Sequence, residues 1–280
     1  MDLNGDPRVK RSDDLHVDTV IALLRLYLEQ REGQEIPRTS SPDREIRAGK
    51  ACDAILKGGG VSYAVEHTSL DSYLRQRLDT ARFREVLASL EQRLKGKFPD
   101  HVDVDVPVHA IPTGIDWQEL SRLIESWIVT NLNRLPYDQR VEVQIPDVPF
   151  ALGVRRERAA GPGSLFGMRV APADLREQRV YVLAEGIRAK TEVLSQYKAQ
   201  AFRTVLIIET DDITLSDRST ICEDFQKAVK IQEPAAIDDI LLIETDTQPW
   251  CVTPLKVGNE VMITTNPSWP SAPGYPCLPA

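Results

Sequence analysis

Two carboxylates in one short stretch, Asp53 and Glu66, are the residues of this chain best placed by type and spacing to do chemistry. They lie in KACDAILKGGGVSYAVEHTSLDSY, residues Lys50 to Tyr73, which reads as two short strands around the reversal Lys57-Gly58-Gly59-Gly60. In a strand, residues two apart share a face, so Glu66 and Thr68 point one way while Val65 and His67 point the other. With Asp53 in the middle of the neighbouring strand, the two carboxylates converge. Paired carboxylates beside a main-chain carbonyl make a hard, all-oxygen environment that suits Mg²⁺ or Mn²⁺ rather than zinc. Such an ion polarises a phosphodiester and lowers the pKa of an attacking water. Spacing alone fits a plainer role equally well, in which Asp53 and Glu66 are salt-bridged strand residues with an arginine such as Arg47 as partner.

Other chemistries find less footing. His67 reads as a buried histidine hydrogen-bonded within the fold, and His16, His101 and His109 are too scattered to suggest a triad or a metal cluster. Cys52, Cys222, Cys251 and Cys277 form no CxxC pair, so neither a zinc site nor a disulfide framework is indicated. Gly58-Gly59-Gly60 lacks the GK[ST] of a phosphate-cradling loop, and the chain has no GxSxG elbow.

The elements that must position the hairpin follow from periodicity. Val17, Val20, Ile21, Leu24 and Leu28 recur at helical spacing over residues 15–32, followed by a Gly, Pro and Ser-rich loop to Asp43. After the hairpin, Leu70 to Leu94 predicts one long helix with an apolar stripe that includes Leu74 and Leu78, and its arginines interleave with Asp71, Asp79, Glu85 and Glu91 as a salt-bridged face. HVDVDVPVH, from His101 to His109, alternates strictly and predicts a strand with its valines inside and Asp103 and Asp105 outside, a matter of patterning and not a metal site. A helix over 116–133, a strand pair around residues 140–156, a long helix over 173–202 and a helix over 219–230 complete the pattern. Two continuous apolar runs, RTVLIIE from Arg203 and DILLIE from Asp239, predict strands covered on both faces. Trp250–Leu255 and Glu260–Thr264 read as a terminal strand pairing. The cluster Arg155, Arg156 and Arg158 ahead of Gly161-Pro162-Gly163-Ser164 is the most exposed-looking positive patch and reads as a surface loop.

A chain of 280 residues, 42% of them hydrophobic, can bury a sizeable core. It shows no internal repeat or linker, which predicts a single domain over 1–265 with a proline-rich tail over 266–280 and a mobile arm over 1–14. No apolar run is long enough for a membrane span and the first residues are not signal-like, so the expectation is a soluble cytoplasmic protein. A formal net charge of −8 weighs against a protein that coats nucleic acid, while leaving room for an enzyme that meets phosphates through bound metal.

The order of helix, Asp-bearing strand, glycine turn, strand ending in Glu66-His67-Thr68 and long helix resembles the core of the PD-(D/E)XK nuclease-like superfamily, which includes the restriction endonucleases. The resemblance covers Leu15 to Leu94, with Arg203–Glu209 and Asp239–Glu244 as further strands. It implies an α/β fold with an αβββαβ core, a mixed central sheet flanked by helices, and extra C-terminal strands and helices. It also implies a divalent metal bound by Asp53 and Glu66, a main-chain carbonyl lent by His67, and an acidic residue from the first helix, for which Glu32 is the candidate. The water-orienting lysine of the family falls on Thr68, which has no amine, so the resemblance leaves Lys50 or Lys190 to supply one from elsewhere. The activity it implies is hydrolysis of a phosphodiester in nucleic acid. The departure at Thr68 keeps open an inactive binding or structural module on the same fold.

Overall fold

One-sided burial of Val20, Ile21, Leu24 and Leu28 winds the first helix, α1 (Ser12–Glu32), in a computed structural model that describes residues 12–45, 50–211, 217–245 and 250–262. In chain order there follow β1 (Arg38–Ser40), α2 (Pro42–Glu45), β2 (Ala54–Gly58) and β3 (Val61–Ser69), then α3 (Gln76–Phe83), a π turn (Arg84–Ala88) and α4 (Ser89–Leu94). The chain continues through β4 (Asp100–Pro107), α5 (Trp117–Asn131), β5 (Arg140–Gln144), β6 (Ala151–Arg158) and β7 (Leu165–Val170). It ends in α6 (Leu175–Lys198), β8 (Arg203–Thr210), α7 (Arg218–Ile231), β9 (Asp239–Glu244), β10 (Cys251–Val257) and β11 (Glu260–Val261). Arg47, residues 1–11 of the N-terminal arm, residues 263–264 and the tail over 266–280 lie outside the described residues.

The single domain expected from the sequence is replaced by two compact units. One takes the residues up to Ser72 together with those from Arg176 onward, and the other is Tyr73–Leu175. The second unit is inserted in the chain between β3 and α6, with no Gly, Pro or Ser-rich linker at its first junction to betray it.

The first unit is built on a mixed seven-stranded sheet in the order β1-β2-β3-β8-β9-β10-β11. Strands β1, β2 and β3 form an antiparallel meander, β3, β8 and β9 run parallel, and β10 and β11 return antiparallel. Helix α1 covers one face, packing Val20, Ile21, Leu24 and Leu28 on Leu56, Tyr63, Val65, Val205 and Ile207. Helices α6 and α7 cover the other, packing Leu183, Ile187, Leu194, Ile221 and Phe225 on Ile55, Ala64, Leu206, Ile208 and Leu242. The parallel strands therefore read as continuous apolar runs because both their faces are buried. Between β2 and β3 the reversal is the pair Gly59-Gly60, at φ +55° and +79°. A two-residue hairpin turn needs positive φ at both positions, which glycine supplies without steric cost.

The second unit has a four-stranded sheet, β5-β6-β4-β7, with Val102, Val104 and Val106 of β4 turned toward helical residues Leu87, Leu90, Leu120 and Ile124. Asp103 and Asp105 face outward and pair with Arg155 and Arg140, as their alternation implied. The helix expected over residues 70–94 starts only at Gln76, after Arg75 at φ 67°, and passes through the π turn. Its phase shifts accordingly: Leu74 and Leu78 are exposed, while Gln76 and Asp79 are buried. Asp79 accepts hydrogen bonds from the Tyr73 hydroxyl (2.7 Å) and the His109 amide (3.1 Å), and Glu91 accepts from the Gly167 amide (2.8 Å), so these acids are engaged away from the arginines beside them. The expected positive patch is present only in part, since Arg155 and Arg158 are exposed and Arg156 is not. Arg156 is buried against Asp100, Arg155 is held by Asp103, and Arg158 lies over the Tyr137 ring, 5.1 Å from its centroid. The segment read as a surface loop leads directly into β7.

Candidate functional site

Register explains why the two carboxylates share one end of the hairpin. The β2–β3 ladder closes with Ala54 opposite Val65, and the Asp53 amide adds one more bond to the Val65 carbonyl (3.0 Å). Asp53 thus sits one residue ahead of β2, at its mouth and not at mid-strand as expected. Just past that last pair, the His67 amide donates to Asp53 Oδ2 (2.7 Å). Glu66, between Val65 and His67, points to the α6 face of the sheet with Ala64 and is 2% exposed.

From α6, Lys190 donates its Nζ to Glu66 Oε2. Of the two lysines expected near this corner, the one that reaches Glu66 thus arrives from a helix far along the chain. Lys50, the other candidate, is held away by Glu192 on the outer side of α6 (2.6 Å), its side chain 69% exposed.

The electrostatics of this corner follow from burial and like charge. Desolvation pushes the Glu66 carboxyl up to about 7, Asp53 adds to the rise, and Lys190 opposes it. Asp43, on α2, is also raised, first by burial and then by Asp53, and its own charge contributes to the rise at Glu66. Asp43 therefore belongs to the same acidic corner, although it falls in the stretch read from sequence as the end of a loop. Its only signal there is sequence proximity to the hairpin. Tyr197 of α6 closes the corner by accepting the Cys52 amide on its hydroxyl (3.1 Å).

Glu32 does not join this group. It lies on the α1 side of the sheet, hydrogen-bonded to Arg31 (2.9 Å) and near Arg203 (3.8 Å). Helix α1 covers the face opposite Glu66, so continuation of its apolar stripe points Glu32 inward but to the wrong side of the sheet. On that same α1 face, the His67 ring meets Glu209 of β8 (2.7 Å), which also receives His16 (2.5 Å) and Thr245 (2.7 Å). Against the upward push of burial, these donors draw Glu209 down to about 2. The expected hydrogen-bonded histidine is therefore present at His67. Nothing in the sequence marks Glu209, which merely closes the apolar run RTVLIIE.

Among the described residues, no group of three or more His, Cys, Asp or Glu side chains is arranged to hold a metal ion. The donor set at Asp53 and Glu66 is two carboxylates, each with one oxygen engaged, by His67 and Lys190 respectively. Mg²⁺ keeps several of its waters and commonly takes only one or two protein carboxylates, so by donor type this pair is of the kind such an ion takes. The same pair does not fit zinc, which prefers imidazole and thiolate.

No protein-family model, curated protein or solved structure matches the chain. No helix among the described residues is long and apolar enough to cross a membrane.

Proposed function

We propose that this chain is a nuclease-like protein that hydrolyses a phosphodiester of nucleic acid at Asp53 and Glu66, with Mg²⁺ or Mn²⁺ as cofactor. The observation that carries this reading is the meeting of Asp53, Glu66 and Lys190 at one end of the β2–β3 hairpin. The order of elements supports it once two departures are allowed: the one-turn α2 stands between β1 and β2, and the helix that the resemblance counted within 70–94 falls in the other unit. With α6 in its place, α1, β1, β2, β3, α6 and β8 run α-β-β-β-α-β with β8 parallel to β3. That is the order implied by a restriction-endonuclease-like core.

Asp53 and Glu66 would hold the ion through the carboxylate oxygens left free by His67 and Lys190. A divalent ion there supplies Lewis acidity, polarising the phosphodiester and making bound water more acidic. Lys190, already beside Glu66, is placed to orient the attacking water in place of the residue at Thr68. The His67 carbonyl remains the main-chain candidate for the ion, and Glu32 takes no part.

One observation favours a second reading. The Lys190–Glu66 ion pair neutralises the buried carboxylate without any metal, which suits an inactive binding module on the same fold. Incubation of single- and double-stranded DNA and RNA with the protein and Mg²⁺ or Mn²⁺ separates the two. The nuclease reading expects metal-dependent cleavage lost in Asp53→Ala and in Lys190→Met. No cleavage of any substrate with either metal would leave the inactive module.

A further inference from the structure

Glu209 is a carboxylate on the α1 face of β8, buried to 3% exposure. Burying such a group is costly unless its lone pairs are satisfied, and here three side chains satisfy them: His67 Nε2, His16 Nε2 and Thr245 Oγ1. Its own backbone is fixed as well, because β8 lies between β3 and β9 in parallel ladders and the Glu209 carbonyl accepts the Leu70 amide (2.7 Å). Glu209 is thus a rigid anchor for the His67 ring. His67 in turn donates its main-chain amide to Asp53 Oδ2, at the mouth of β2 (2.7 Å).

We propose that His67 and Glu209 are positioning residues for the Asp53 carboxylate, acting through the sheet: Glu209 fixes the His67 ring, and the fixed residue aims its amide at Asp53. This rests on the reading of Asp53 and Glu66 as a metal-binding pair. Beyond Val65 the β2–β3 ladder has no further partner for β3, since Asp53 lies outside β2. On its other edge β3 stays paired with β8 through Ser69, and the ring bond to Glu209 adds a second restraint against a twist of residue 67 that would turn its amide away from Asp53. Groups that orient a metal ligand without touching the metal typically change metal affinity by about 10–100-fold when removed.

The test uses the full, metal-stripped chain well below its unfolding temperature, with two readouts. Mn²⁺ affinity is measured by calorimetry, and exchange of the residue-67 amide by NMR. His67→Leu is expected to weaken Mn²⁺ binding about tenfold or more and to speed exchange of the residue-67 amide relative to that of Val65. His67→Gln, whose side-chain amide can still donate to Glu209, is expected to restore most of both losses. His16→Ala removes a Glu209 bond without touching the ring of His67, so it is expected to lower stability and leave both readouts unchanged. Unaltered residue-67 exchange in folded His67→Leu would overturn the proposal. If the exchange effect is present but wild type binds Mn²⁺ no better than Asp53→Ala, the positioning of Asp53 stands and the metal reading of the pair falls.

Discussion

Replacing Glu66 by glutamine removes one ionisation from the middle of the first unit and leaves a side chain of nearly the same shape. In the folded chain the Glu66 carboxyl is raised from its ordinary 4.5 to about 7, chiefly by burial and then by Asp53. Between those values the unfolded chain has already lost the proton that the folded chain still binds, so ν_U − ν_N is about −1 and stability falls as pH rises. The contribution is fully present below about pH 4.5 and gone above about pH 7. At about 1.36 kcal/mol per pKa unit, the roughly 2.5 units amount to a loss of about 3 kcal/mol across that window. Glutamine does not titrate, so the stability of Glu66→Gln relative to wild type should rise by about that amount from pH 4.5 to pH 7.5 and then level off. The assay is urea unfolding in EDTA at half-unit pH steps, with the midpoint and slope compared at each pH. A difference between the two proteins that stays constant across the window would refute the buried, like-charged environment assigned to Glu66.

Two further outcomes test the surrounding fold. Arg179 and Asp224, both buried, pair at 2.7 Å between α6 and α7, so Arg179→Met should cost about 3 kcal/mol in urea unfolding, while the double change with Asp224→Leu should recover most of it. Gly59 and Gly60 both hold positive φ in the hairpin turn, and each change to alanine should cost about 1–2 kcal/mol; equal stability to wild type would deny the turn geometry.

Much of the first unit is legible in the sequence because burial writes its geometry into residue order. Helix α1 buries one face, so its apolar residues recur at 3.6; β8 and β9 bury both faces, so they run apolar without interruption. Asp53 and Glu66 stood out because polar groups inside a core hairpin need partners. What remained hidden is set by contacts distant in sequence. The pairing of Lys190 with Glu66 spans 124 residues, across an inserted unit whose first junction carries no linker composition. The stripe over residues 70–94 loses phase at Arg75 and again at the π turn, where Ser121 of α5 donates to the Val86 carbonyl (2.8 Å). Neither break is visible in a periodicity that continues straight through both. The place of Glu32 is hidden for a related reason: the stripe identifies the inward side of α1 but not which face of the sheet that helix covers.

The central claim is that Asp53 and Glu66 hold one divalent ion, and crystals soaked in Mn²⁺ test it most directly by anomalous scattering. The expected result is a peak about 2.0–2.6 Å from a carboxylate oxygen of each residue, lost in Asp53→Ala. An empty corner at saturating Mn²⁺, with Lys190 still bound to Glu66, would contradict it.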